Sequence, residues 1–168
     1  KPKKPASNQP RKKAGFIAVS IGSGLGEIFT GLGVDYIIEG GQTMNPSTEN
    51  ILSALENSSY QDIIILPNNK NIILTAEQTK HFTKKNITVL PTRSIPQGIA
   101  ALLSFNPMAS IEENLNNMRQ AIDKVITGEV TYAVRDSEWN GRAIKQGDVL
   151  GIIDGKLTVV NKGTEEVL

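Results

Sequence analysis

The feature that most constrains this chain is an alternation, kept up from residue 15 to residue 126, between short apolar runs and segments with helical periodicity. Phe16–Ile21, Asp35–Glu39, Asp62–Leu66 and Asn86–Leu90 are each four to six residues long and lack the polar alternation of a half-exposed strand. Such runs suit strands covered on both faces. Between them lie helical patterns: a turn at Gly22–Gly26 leading to a helix through Leu32, Ile51–Leu55 with polar residues interleaved, and Thr75–Gln78 opening a helix to about Lys84. Ile72–Leu74 reads as a short turn before that last helix. A further apolar helix runs to about Phe105, and Ser110–Glu113 opens a helix carrying Ile111, Leu115, Met118, Ile122 and Val125 on one face. Strands and helices alternating with short connections make a parallel sheet with helices on both faces. The expected fold is therefore α/β, a parallel sheet of about four strands flanked by helices. Residues 127–168 change style, with short strands around Val130–Val134, Ala143–Ile144, Val149–Ile153 and Leu157–Val160. Asn140-Gly141 and Asp154-Gly155 are hairpin signals, so this part reads as a small antiparallel β-meander.

Charge separates a third part. Lys1, Lys3, Lys4, Arg11, Lys12 and Lys13 are six of the 18 basic residues, and no acid lies among them; residues 14–168 hold 12 basic and 17 acidic residues, a net of −5. Residues 1–13 read as a flexible basic linker, residues 14–126 as the α/β domain and residues 127–168 as the appendage. An acidic folded part argues against a nucleic-acid-binding fold, which would carry its basic patch on the folded surface. The absence of cysteine excludes a disulfide framework and a thiol nucleophile, and suits a reducing, cytoplasmic setting. Apolar runs are too short for an integral membrane protein. The chain opens on Lys1, which reads as a fragment of a larger protein.

In a parallel sheet the loops leaving the strands gather at one edge, where doubly wound folds bind ligands. Here those loops are 22–26, 40–47, 67–71 and 91–98, and they hold the unusual residues: Gln42, Thr43, Met44, Asn45, Asn68, Asn69, Arg93 and Gln97. In the second loop Gly40 and Gly41 are expected to supply backbone conformations closed to other residues. Asn45 is expected to cap a helix that opens on Pro46. Gln42 and Met44 are left to point outward as a recognition surface, and Arg93 is the best placed residue for an acidic group.

Catalytic machinery is not evident. Gly22-x-Gly24-x-Gly26 invites a phosphate-loop reading, but Glu27 stands where a dinucleotide fingerprint needs glycine, and a carboxylate there repels an anion. His81 has no orienting partner in the sequence and reads as an exposed helix residue. The aspartates are scattered, with Arg135 and Asp136 a possible local pair and Trp139 a hairpin contact. No catalytic, cofactor or metal residue is assigned, and the chain is expected to be inactive alone.

Four segments carry a family resemblance: Glu39–Leu52, Ile65–Ile72, Val89–Gly98 and Lys145–Asp148. At these spacings the chain resembles, over about residues 14–160, the C-terminal region of the kinase subunit of bacterial fatty acid kinase, in a dihydroxyacetone-kinase-like family. The resemblance implies a parent that makes acyl phosphate for phospholipid synthesis. It also implies an N-terminal domain, missing here, that binds ATP and magnesium, and a C-terminal region that helps dock an acyl-binding protein carrying a fatty acid. The ATP and magnesium residues match nothing in this chain. Two other readings stay open: a binding domain for a lipid or phosphorylated small molecule, and a structural or dimerising domain. The first would show as an extended apolar tunnel, the second as an apolar helix face around Met118 paired across a twofold axis.

Overall fold

A computed structural model describes residues 12–41 and 44–162. The chain divides into two compact units between Val125 and Ile126.

The first unit contains β1 (Gly15–Ser20), α1 (Gly22–Gly31), β2 (Tyr36–Glu39), α2 (Thr48–Asn57), β3 (Asp62–Leu66), α3 (Lys70–Gln78), a 3₁₀ turn (Thr79–Phe82), β4 (Asn86–Val89), α4 (Ile95–Leu103) and α5 (Ile111–Asp123). The four strands form one parallel sheet in the order β2-β1-β3-β4. This is the expected α/β fold. The direction of winding reverses between β1 and β3, so α1 lies on one face and α2 and α3 on the other.

Every central strand feeds two cores. Phe16 and Ala18 of β1, with Ile64 and Leu66 of β3, meet Phe29 of α1, Ala101 and Leu102 of α4, and Met118 and Ile122 of α5. The alternate residues Ile17, Val19, Ile63 and Ile65 meet Ile51, Ala54 and Leu55 of α2 and Ile72 and Ala76 of α3. The two-sided apolar runs of the sequence are explained by this arrangement. The α5 stripe is core, with Met118 0% exposed, so the face proposed for twofold pairing is already covered within the unit.

Helix starts follow their caps. Ser47, Asn69, Ser94 and Ser110 each accept a backbone N–H in the first turn of α2, α3, α4 and α5. Two expectations are corrected here. The helix after the 67–71 loop starts at Lys70, capped by Asn69, so Ile72–Thr75 is helix interior and Thr75 opens nothing. The cap of α2 is Ser47, not Asn45: its Oγ accepts from Asn50 N at 3.3 Å while Asn50 Oδ1 accepts from Ser47 N at 2.9 Å. That reciprocal pair satisfies two N–H groups, where Asn45 would have satisfied one. At the start of the sheet Lys12 is half-buried, its Nζ 2.7 Å from Asp35 Oδ2 and also donating to Gly33 O. The rest of the expected linker, residues 1–11, lies outside the described residues.

The second unit is antiparallel, as the sequence suggested. Strands β5 (Gly128–Tyr132), β8 (Val149–Ile153) and β9 (Lys156–Asn161) form one sheet in the order β5-β8-β9, and β6 (Ser137–Trp139) pairs with β7 (Arg142–Ile144) in a hairpin. Both hairpin signals take left-handed backbone, with φ of 51° and 75° at Asn140-Gly141 and 48° and 75° at Asp154-Gly155. These are the dihedral signs of a type I′ turn, whose twist matches that of the strands. Asp136 pairs with Lys145 at 3.4 Å rather than with Arg135. Asp136 Oδ1 also accepts from Gln146 N at 2.8 Å, and this bond, with Lys145 beside it, holds the Asp136 carboxyl below its ordinary range.

Candidate functional site

The loops leaving the strands gather at the C-terminal edge of the parallel sheet, and each is held there by a different device. After β2 the chain passes through Gly40 and Gly41 with no positive φ at either, so backbone freedom is not what the glycines supply. They supply room. A Cβ on Gly40 would stand 2.8 Å from Pro46 Cδ and 2.9 Å from Met44 O, and one on Gly41 would stand 2.1 Å from Ile21 Cγ1. Gly41 N also donates to Met44 O at 2.9 Å, and Gly41 itself packs against Ile21 just before α1. Met44, 71% exposed, projects to solvent, Asn45 is exposed beside it, and Ile21 is 49% exposed. Gln42 and Thr43 lie outside the described residues.

After β3, at the reversal of winding, stands Asn68. It adopts left-handed backbone, φ 55°, which Asn tolerates better than most residues. Only 7% exposed, it ties three elements together. Its Nδ2 donates to Val19 O of β1 at 2.9 Å, and its N–H donates to the buried hydroxyl of Thr92 at 2.9 Å. Its Oδ1 lies 2.2 Å from where a Cβ on Gly98 of α4 would be. That oxygen has no hydrogen-bond partner among the described residues. The crevice in which doubly wound sheets hold ligands is thus filled by the Asn68 side chain.

Asn69 and Gln97 are engaged locally. Asn69 Oδ1 accepts from Asn71 N at 2.9 Å, capping α3. Gln97 Oε1 accepts from Arg93 N at 2.7 Å, and its own N–H reaches Ser94 Oγ at 3.4 Å, fixing the 93–97 turn. Arg93 itself is exposed. Of the eight residues singled out from sequence, Met44, Asn45 and Arg93 therefore face solvent on the same edge, while Asn68, Asn69 and Gln97 build it. His81 is exposed in the 3₁₀ turn, and among the described residues no three His, Asp or Glu side chains are grouped to hold a metal.

Sequence reasoning missed Ser20, Thr92 and Gly98. Thr92 and Ser20 are buried polar residues at strand ends, 0% and 1% exposed, and Ser20 Oγ also lacks a partner among the described residues. Gly98 left a partial signal. A glycine inside a helix destabilises it relative to alanine and so draws notice, but the signal is shared by Gly24 and Gly31 of α1, which have open space beside them.

Comparison with known proteins adds family to fold. Residues 15–168 match the FakA-like C-terminal family, the C-terminal region of proteins that resemble the A subunit of fatty acid kinase. An uncharacterized protein of Staphylococcus haemolyticus is 45% identical over 146 residues, covering 87% of this chain and 26% of that protein. Protein YloV of Bacillus subtilis is 43% identical over 157 residues, covering 92% of this chain and 28% of its own. The chain thus spans about a quarter of these relatives. Among solved structures, a DegV family protein of Corynebacterium glutamicum superposes with a TM-score of 0.60 at 13% identity, over 94% of this chain and 71% of that one. That likeness is one of fold.

Proposed function

Because this chain belongs to the FakA-like C-terminal family of fatty acid kinase, we propose that it is the non-catalytic docking domain of a fatty acid kinase, presenting the C-terminal edge of its parallel sheet to an acyl-binding protein. In this reading phosphoryl transfer, with its ATP and magnesium, belongs to the part of the relatives outside the span of this chain, and the whole protein works in the cytoplasm on a fatty acid delivered by its partner. Among the described residues no helix is long and apolar enough to cross a membrane.

One observation carries the choice of docking over small-molecule binding. Asn68 closes the switch-point crevice, bonded to Val19 O and packed on Gly98. A small ligand there would have to displace a buried side chain and leave the Val19 carbonyl open. What the edge offers to a partner is its rim: Met44 at 71% exposure, half-exposed Ile21, and the exposed Arg93 of the 91–98 loop. Met44 and Ile21 follow the neighbouring strands β2 and β1 and Arg93 follows β4 at the far side of the sheet, so the rim offers an apolar end and a basic end, both residue classes enriched at interfaces.

The test is affinity for a fatty-acid-loaded acyl-binding protein by calorimetry, using the 168-residue chain and its Met44→Asp and Arg93→Glu variants. Each variant should melt with the parent and bind at least about tenfold more weakly, a change of about 1.4 kcal/mol. Binding within about twofold of the parent by both folded variants would rule this edge out as the docking surface.

A further inference from the structure

A groove of about 490 Å³ runs between α1 and β2, lined by Ser20, Gly22, Ser23, Gly26, Glu27, Thr30, Ile37 and Glu39. It lies on the α1 side of the sheet at the C-terminal ends of β1 and β2, next along β1 from the Val19 carbonyl that Asn68 holds. Strand register explains what converges there. Ser20 and Glu39 are Cα partners on adjacent parallel strands. Phe16 and Ala18, four and two residues before Ser20, face the α1 core, as does Ile37, two before Glu39. With a side-chain period of two, Ser20 and Glu39 point to that same face. Glu27 is added from α1, which runs beside β2 here: a Cβ on Gly26 would stand in ordinary contact with Ile37 Cγ2, at 3.7 Å.

Two features compete for the charge of a ligand. The N-terminus of α1 has no side-chain cap, and its free N–H groups would attract an anion. That terminus is worth roughly half a positive charge, against two full carboxylates at Glu27 and Glu39. The carboxylates win. They stand with a third acceptor, the Ser20 hydroxyl, which is 1% exposed and unpartnered among the described residues. Three acceptors above an apolar floor match a group with three N–H donors and no acceptor, which is a primary ammonium on an aliphatic stem.

We propose that the groove between α1 and β2 binds a primary ammonium group, with Glu27, Glu39 and Ser20 accepting its three N–H bonds and Ile37 covering the adjoining carbons. This site adjoins the docking edge at Ile21 but includes neither Met44 nor Arg93, so the two readings are tested by different variants. It also gives a use to Glu27, the residue that spoils the phosphate-loop pattern.

The experiment is an amide-shift titration of the 168-residue chain with n-butylammonium chloride, using tetramethylammonium and butyrate as controls. Butylammonium should shift the Ser20, Ser23 and Gly26 amides saturably with a dissociation constant of about 1–10 mM, as suits one small polar group. Tetramethylammonium has the charge but no N–H, and should bind about tenfold more weakly or not at all. Glu27→Gln and Glu39→Gln replace exposed side chains and should fold normally, each weakening butylammonium about fivefold or more. Ser20→Ala removes an unpartnered buried hydroxyl, so the fold survives while affinity falls. Nα-acetyl-lysine amide separates the sources: binding as tight as butylammonium identifies a protein side chain, and weaker binding identifies a free small amine. Equal binding of tetramethylammonium, saturable binding of butyrate at these amides, or no response to either glutamine variant would overturn the assignment.

Discussion

Asn68 and Gly98 form a pair whose energetics can be worked out as a cycle. Gly98→Ala alone introduces a Cβ at 2.2 Å from Asn68 Oδ1, 2.9 Å from its Cγ and 3.0 Å from its Nδ2. The helix gains about 0.5–1 kcal/mol from the substitution. The clash must move Asn68 out of place, and overpacking of that kind costs about 1–3 kcal/mol. The net expectation is a loss of about 1–2 kcal/mol, the larger part being overpacking. Asn68→Gly alone accepts the φ of 55° without strain but removes the 2.9 Å bond to Val19 O. Opening that buried bond costs about 1–3 kcal/mol. In the double variant the new Cβ enters the space the amide has left, the clash is gone, and the helix gain is realised. The double should therefore be no less stable than Asn68→Gly alone, with a coupling of about 1–3 kcal/mol in favour of the pair. Urea unfolding of the four proteins measures it. Losses that add to within about 0.5 kcal/mol would show that the two residues do not share this space, and would refute the account of the crevice as filled by Asn68.

Two further expectations concern other loops. Ser47→Ala should lower stability by about 1 kcal/mol and Asn45→Ala by less than about 0.5 kcal/mol in the same denaturation assay, the reverse order contradicting the cap at Ser47. The Asp136 carboxyl should titrate below its ordinary value, with the Gln146 amide shift following it. Because the folded value is depressed, the contribution of this bond is complete above the ordinary aspartate range and is lost as pH falls through the lowered value. An Asp136 titration at or above the ordinary value would contradict the bond.

The parallel sheet was legible because Phe16–Ile21 and Asp62–Leu66 must be covered on both faces, and only intervening helices can cover them. Asp154-Gly155 was legible because its conformation is local. The α2 cap was not, because Asn45-Pro46 and Ser47-Thr48-Glu49-Asn50 both offer plausible starts. The reciprocal bonds of Ser47 and Asn50 decide between them, satisfying two N–H groups where Asn45 would satisfy one. Gly40 and Gly41 were correctly picked as special for a mistaken reason, since close approach and positive φ look alike in sequence. The candidate edge was legible from topology alone. Which of its residues face outward was not, because Asn69 and Gln97 have the same chemistry as ligand-binding residues and are engaged in turns.

The run Ile63-Ile64-Ile65 in β3 feeds both cores with the same side chain, Ile63 and Ile65 to one and Ile64 to the other. Within the run itself burial says little about alignment, since a slip of one position still sets isoleucine against apolar surface on both sides; its cost appears at the ends, where Asp62 or Pro67 is carried into a core position. The information that fixes alignment sits at the two ends, where Asn86 Nδ2 donates to Asp62 Oδ1 at 2.9 Å and Asn68 Nδ2 reaches Val19 O. Alignment of this strand is thus specified at its margins, by where its polar residues end up and which bonds they close, while its centre supplies cohesion that is nearly the same in either register.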